Sequence, residues 1–210
     1  RVIGYSVTGR PIRAWRLGDP DARVTAVALA SMHGDEAAPR AILEALRDGE
    51  PVRDIDLWVI PGANPDGFVR DQRQNARGVD LNRNFPRAWA PLDGAVESGP
   101  GPASEPETRA LMRFLRRVDP RFVVSFHQPM YGVDLWRPKK RWFVRRLADH
   151  LRLPTKEFAC GSTCHGTLTQ WFNHNFDGAA VTVEYAANPP RERMTLRAPG
   201  QLLRALGGRR

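Results

Sequence analysis

The sequence predicts an α/β fold with a largely buried sheet. Three observations carry that expectation: apolar runs of strand length recur along the chain, helical patterns lie between them, and ligand-type polar residues gather where the runs end. Runs that are apolar throughout, rather than alternating, mark strands covered on both faces.

The first run is "RVTAVALAS" (23–31) and the second "DIDLWVIPG" (54–62). Between them, "APRAILEALRDG" has its apolar residues at helical spacing. A Pro-, Gly- and Ala-rich stretch from Pro86 to Pro106 reads as a long surface loop, a kind that often carries function. "EPETRALMRFLRRV" (105–118) reads as an amphipathic helix, with Ser104 as N-cap and Glu107 resembling the far half of a capping box. "RFVVSFH" (121–127) and "AAVTVEY" (179–185) are the third and fourth buried strands. No repeat or low-complexity linker divides the chain, so residues 1–210 read as a single domain.

The net charge of +9 either favours anionic partners or merely reflects Arg-rich residue usage. No aromatic-interleaved RNA motif or zinc-finger spacing accompanies it, so no nucleic acid partner is expected. No apolar stretch approaches the ~20 residues of a membrane span, and the first residues, "RVIGYSVTGR", lack the apolar core of a signal peptide. Cys160 and Cys164 could close a small disulfide loop, which would imply an oxidising compartment. With the basic charge, this leans towards a secreted or cell-wall-associated protein, the cytoplasm being the alternative.

The polar residues are placed regularly. His33 and Glu36 follow the first run, His127 ends the third, and Glu184 sits near the end of the fourth. In open α/β sheets, ligand sites form beyond strand ends. A hydrolytic zinc needs three protein ligands and an open position for water. His33, Glu36 and His127 supply two imidazoles and a carboxylate. Such an ion acidifies water and polarises a scissile carbonyl. A separate carboxylate must then take the proton and pass it to the leaving amine. Glu184 is placed for that, and burial would raise its pKa usefully. An H-x-x-E pair alone reads more readily as a solvated helix start than as a metal site, and Asp35 is expected to be a helix-start residue that stays off the metal.

Several segments, in order, carry a family resemblance: "GYSVTGRPI", "HGDE", "NPDG" (64–67), "GVDLNRNFP" (78–86), "SEPETRAL" (104–111), "SFH" (125–127) and "TVEY" (182–185). Together they resemble the zinc carboxypeptidase family of metallopeptidases. The resemblance implies a three-layer α/β/α sandwich with a mixed, mostly parallel sheet. It also implies one zinc ion and hydrolysis of an amide next to a free carboxylate. His33, Glu36 and His127 match the zinc ligands and Glu184 the general base and acid. Asn82 and Arg83 match the pair that grips the substrate carboxylate, a contact suited to a guanidinium fork. Arg73 matches the arginine that stabilises the oxyanion, with Arg77 as competitor. Asp80 matches a carboxylate that orients a ligand histidine.

Compactness, "RQNARGVDLNRNFP", "SFHQP" and "GTLTQWF" resemble one bacterial branch of that family, the murein peptide amidases and γ-D-glutamyl-diaminopimelate peptidases. These cut the bond between D-glutamate and meso-diaminopimelate in peptidoglycan peptides, so a peptide or murein-peptide substrate is expected. Recycling amidases of this type are cytoplasmic. "RPKKR" (137–141) and Arg87 could meet an extra substrate carboxylate, though "RPKKR" reads first as a solvated basic face. Thr169 and Gln170 lie where the family forms its side-chain pocket. The family's mobile tyrosine has no counterpart in "CGSTCHGTLTQWF" (160–172), so that either Tyr131 or Tyr185 substitutes in part or nothing does. His150 and His174 read as surface residues, His165 as a neighbour of the pocket, and Trp171 and Phe172 as core or pocket wall. Three other functions compete: a carboxypeptidase on ordinary peptides, an N-acyl amino acid deacylase, and an idle cell-wall binding module. The early "GYSVTGRPI" and "SEPETRAL" disfavour the deacylase, and the complete set of four reactive residues disfavours the binding module.

Overall fold

The structure, a computed structural model, describes residues 1–158 and 161–210. The proposed Cys160–Cys164 pairing involves Cys160, which lies outside the described residues. Among these residues no helix is long and apolar enough to cross a membrane.

A hairpin of β1 (Val2–Tyr5) and β2 (Pro11–Arg13) opens the chain. Among the described residues the main sheet has seven strands: β3 (Trp15–Gly18), β4 (Thr25–Leu29), β5 (Asp56–Ile60), β6 (Phe122–His127), β7 (Met130–Asp134), β8 (Thr155–Lys156) and β9 (Ala179–Ala186). Their spatial order is β3-β5-β4-β6-β9-β7-β8. The central strands β5, β4, β6 and β9 are parallel, while β3 and β7 flank them antiparallel. This is the mixed, mostly parallel sheet expected.

Among the described residues six α-helices flank it: α1 (Arg40–Asp48), α2 (Pro65–Arg70), α3 (Pro106–Val118), α4 (Arg141–Leu151), α5 (Leu168–Asn175) and α6 (Ala198–Leu206). Successive side chains of a strand face opposite ways, and β4 shows how that builds three layers. Ala26 and Ala28 join one core with Leu46 of α1, Leu147 of α4 and Leu202 of α6. Val27 and Leu29 join the other with Leu115 of α3 and Trp171 and Phe172 of α5. Trp171 and Phe172 are therefore core residues. Each fully buried side chain of this size contributes about 1.5–3 kcal/mol, so both faces of β4 are committed and its register is fixed.

From β4 the chain crosses to β5 on one side, then returns to β6 on the other. That reversal opens a crevice beyond the ends of β4 and β6, where α/β sheets bind ligands. Everything positioned at the site follows from this switch.

One local expectation needs correction. Ser104 does not cap α3: the N-cap position is Glu105, without a side-chain cap bond. Pro at the first helical position needs no cap for its missing N–H, and Ser104 Oγ instead donates to Glu105. The stretch from Pro86 to Pro106 is a long surface loop, as expected, but it is tied down. Asn84 Nδ2 donates to Ser98 O at 2.8 Å, Gly101 O at 3.1 Å and Ser104 Oγ at 2.9 Å, and Ser98 is buried. One buried amide thus folds the segment back onto the body.

Candidate metal and catalytic site

The turn after β4 is held by two glycines. A Cβ on Gly34 would lie 2.0 Å from the Gly67 carbonyl carbon and 2.3 Å from Phe68 N, so only glycine lets the His33 turn touch the α2 backbone. Asn64 binds the same two pieces. Its Oδ1 accepts from Gly67 N at 2.9 Å, capping α2, while its Nδ2 donates to Met32 O and Arg73 O, each at 3.3 Å. The "NPDG" segment is therefore a scaffold for "HGDE". No helix starts before Arg40; residues 31–39 form turns, bends and irregular chain, and Asp35 is exposed.

His33, Glu36 and His127 converge, all buried. His33 Nδ1 lies 2.7 Å from Glu36 Oε1, His127 Nδ1 lies 2.7 Å from Glu36 Oε2, and the two Nδ1 atoms are 3.2 Å apart. Burial alone would lower the His33 pKa, but the Asp80 and Glu36 carboxylates outweigh it and raise it to about 9. Burial would likewise raise Glu36, yet His127 and His33 pull it down to about 2.

The outer ring nitrogens are also held. His33 Nε2 lies 3.0 Å from Asp80 Oδ1, and His127 Nε2 lies 3.0 Å from Ser125 Oγ. With an ion bound, a proton on each Nε2 would satisfy these partners and free both Nδ1 atoms for the metal. Two imidazole nitrogens and one carboxylate are a donor set that suits zinc, with a coordination position left open. The residues present fit such an ion. Ser125, absent from the expected site, was legible only as the residue two before His127 on the same strand face.

Asp80 is the hub. Besides His33 it accepts Nε of Arg73 at 3.0 Å and Nη2 at 2.8 Å, and the Asn82 backbone N–H at 2.9 Å. Burial opposes its ionisation, but His33 and Arg73 hold its carboxyl well below the usual range. Arg73 Nη1 is 3.7 Å from Glu36 Oε1, so the guanidinium lies beside the candidate ligands. Arg77 is elsewhere, half exposed and 3.6 Å from Glu105. Of the two competing arginines, only Arg73 lines the cavity.

That cavity, of about 630 Å³, is bordered by His33, Glu36, His127, Glu184, Asn82 and Arg83. Glu184 is buried, accepts Met130 N–H at 3.2 Å, and is raised above its ordinary value, chiefly by burial. Asn82 Oδ1 accepts Leu168 N–H at 3.0 Å, tying this loop to α5. Arg83 is buried with Nη1 donating to Asn82 O at 2.9 Å, while its Nε has no partner among the described residues. Desolvation lowers its pKa, partly offset by Asp80.

The remaining expectations divide. Thr169 and Gln170 both line the cavity. The Gln170 amide is occupied, however: with Thr167 it forms the capping box of α5, and Nε2 donates to Cys164 O at 2.8 Å. Arg87, Arg137 and Lys139 line the cavity, so part of "RPKKR" faces the pocket rather than bulk solvent. His174 is exposed as expected but stands on the cavity rim, and His165 bonds Ala88 O at 3.1 Å outside it. Neither tyrosine reaches the site. Glu184 faces the cavity, so its neighbour Tyr185 faces the opposite core, and Tyr131 is exposed outside the lining. Gln128 was not foreseen: Oε1 accepts Ala38 N–H at 3.0 Å and Nε2 donates to Ala186 O and Ala187 O at 3.0 and 2.6 Å. It clamps the segment before α1 to the end of β9.

Residues 1–133 match the family described as zinc carboxypeptidase, so the chain belongs to that family. Among curated proteins it is 38% identical over 183 residues to murein peptide amidase A of Escherichia coli K12, covering 80% of this chain and 74% of that protein. It is 34% identical over 195 residues to murein peptide amidase A of Vibrio campbellii, covering 86% and 77%. The solved murein-tripeptide amidase of Escherichia coli O157 superposes with a TM-score of 0.82 at 29% identity, covering 98% of this chain and 90% of that one. Carboxypeptidase A of Helicoverpa armigera has a TM-score of 0.80 at 16% identity, covering 99% and 67%, and shares the fold.

Proposed function

We propose that this member of the zinc carboxypeptidase family is a murein peptide amidase, cutting the γ-D-glutamyl–diaminopimelate amide next to a free carboxylate. One observation carries the reading: a buried arginine, Arg83, shares a cavity with the His33–Glu36–His127 group, and among the described residues its Nε is unbonded and it forms no ion pair with a carboxylate. A buried cation of this kind calls for an anion. The substrate α-carboxylate supplies one, at a guanidinium fork suited to two parallel bonds. The similarity to murein peptide amidases selects the murein bond among amides of this type.

In this reading His33, Glu36 and His127 hold one zinc ion. When bound, that ion supplies a Lewis acid for the scissile carbonyl and lowers the pKa of water. Asn82 and Arg83 bind the free carboxylate and set the scissile bond against Glu184. Glu184, raised by burial, accepts a proton from the attacking water and donates it to the leaving amine. Arg73, fixed by two bonds to Asp80, offers Nη1 to the developing oxyanion.

Digests of murein tripeptide, ordinary C-terminal peptides and N-acyl amino acids, compared by mass spectrometry, test this. Release of diaminopimelate from the tripeptide with the others untouched is expected. Release of ordinary C-terminal residues alone would replace the murein reading with a general carboxypeptidase.

A further inference from the structure

The turn that follows β6 serves the site in three ways. His127 is a candidate ligand, and the Met130 backbone N–H donates to Glu184 Oε2 at 3.2 Å. Between them stands Gln128, which lines the cavity and is only 8% exposed. Its Oε1 accepts Ala38 N–H at 3.0 Å, two residues past Glu36. Its Nε2 donates to Ala186 O at 3.0 Å and to Ala187 O at 2.6 Å, two and three residues past Glu184.

Each of the two joined segments has little else to hold it. The pairing of β9 with β6 ends at Glu184 and His127, so beyond that point β9 has only β7, through Ala186 and Met130. Glu36 sits in irregular chain. Its backbone bonds, N–H to His33 O at 3.3 Å and carbonyl to Ser31 Oγ at 3.4 Å, are long and stay within the turn itself. Among the described residues no other side chain hydrogen-bonds both segments. The bridge also explains the residue type. A glutamine amide offers one acceptor to the N–H and two hydrogens to the two carbonyls. A carboxylate would set oxygen against oxygen, and a thioether would leave all three backbone groups without a partner.

We propose that Gln128 is a positioning residue for hydrolysis, setting the separation across the cavity between Glu36 of the candidate metal group and Glu184. The inference rests on the roles given to those two residues in the proposed function. Proton transfer needs the carrier within hydrogen-bond reach of the reacting water. A displacement of ~1 Å can cost ~10²-fold in rate. A bridge on the backbone just past each residue fixes their spacing without occupying either carboxylate.

The test is a double-mutant cycle of Gln128→Met and Glu184→Gln in the zinc-loaded protein, on murein tripeptide or, if that is not cut, on benzoylglycyl-lysine. Gln128→Met keeps the side-chain length and removes all three bonds. It is expected to lower kcat at least tenfold with KM within twofold. In chelator competition it should also weaken zinc binding about tenfold, the low end of the scale for groups supporting metal ligands. In the Glu184→Gln background the same change should lower kcat by less than a further threefold, because misplacing the carrier costs nothing once the carrier is gone. A fully multiplicative loss, a kcat within threefold of wild type, or a raised KM with kcat intact overturns the proposal. If Gln128→Met does not fold, Gln128→Glu, which keeps an acceptor for Ala38 N–H and loses both donors, takes its place in the cycle. Should Glu184→Gln itself stay active, or neither substrate be cut, the proposed function fails separately. The zinc affinity of Gln128→Met then decides whether Gln128 positions Glu36, and an unchanged value overturns that role.

Discussion

His127 and Glu184 are register partners across the adjacent parallel strands β6 and β9. Parallel pairing puts both side chains on one face, so a candidate ligand and a candidate proton carrier share a cavity without any loop having to place them. Glu184→Gln is nearly isosteric and keeps an acceptor for Met130 N–H. It should leave the fold and zinc content intact while lowering kcat at least ~10²-fold. Metal analysis beside steady-state rates checks this, and a rate within threefold of wild type would remove Glu184 from the proton-transfer role.

Asp80 connects His33, Arg73 and the Asn82 backbone through one carboxylate. Asp80→Asn removes the charge that orients the His33 ring. Partners of ligand histidines typically matter by 10–100-fold in metal affinity, and a loss of about that size is expected in chelator competition. Unaltered affinity would mean that the His33 ring is held by packing alone.

Arg73 and Arg77 can be told apart. Arg73→Ala should cost roughly 10²-fold in kcat, the usual scale for removing an oxyanion donor. Arg77 lies at the surface beside Glu105, and Arg77→Ala should leave kcat within twofold. Equal losses in the two variants would contradict the assignment.

Gly34→Ala forces a Cβ to within 2.0 Å of the Gly67 carbonyl carbon. Neither backbone can retreat without moving His33 or the α2 cap. Overpacking of this kind costs about 1–3 kcal/mol. Because the displaced turn carries a metal ligand, zinc occupancy should fall together with Tm. A stable variant with full occupancy would show the contact to be slack.

Much of this was legible because buried strands announce themselves. "TAVAL", "FVVSF" and "AAVTV" are apolar on both faces, so the residues just past their ends, His33, His127 and Glu184, stood out as polar groups without a structural excuse. The helices α1 and α3 followed from apolar spacing. What escaped is what depends on contacts distant in sequence. β7 reads "MYGVD", exposed at its start and interrupted by Gly132, so its place beside β9 had no local signal. Ser125 and Gln128 act through geometry that appears only once β6 lies beside its neighbours. The fate of Ser104 turned on Pro106, whose ring supplies the helix start that a cap would otherwise provide.

The early "GYSVTGRPI" segment acquires a physical role through Asp66. Thr8 donates its backbone N–H to Asp66 Oδ2 at 3.0 Å and its hydroxyl to Oδ1, and Arg10 Nε lies 3.3 Å away. Gly9, at φ +80°, makes the turn that brings them together. Asp66 stands in the first turn of α2, next to Gly67, so the hairpin braces the helix under the His33 turn. Burial alone would raise the Asp66 pKa, but the Thr8 hydrogen bonds and Arg10 lower it. The folded value is thus below the unfolded one, near ~3.9. The stabilisation is complete above that pH and is lost as pH falls through the folded value. Asp66→Asn should cost about 2 kcal/mol at pH 7, the scale of bonds to a charged group, or roughly 4–8 °C in Tm. Melts of both proteins at pH 7 and below the unfolded value check the sign: the gap must narrow on acidification. A constant gap would mean that the carboxylate's shape, not its charge, braces α2.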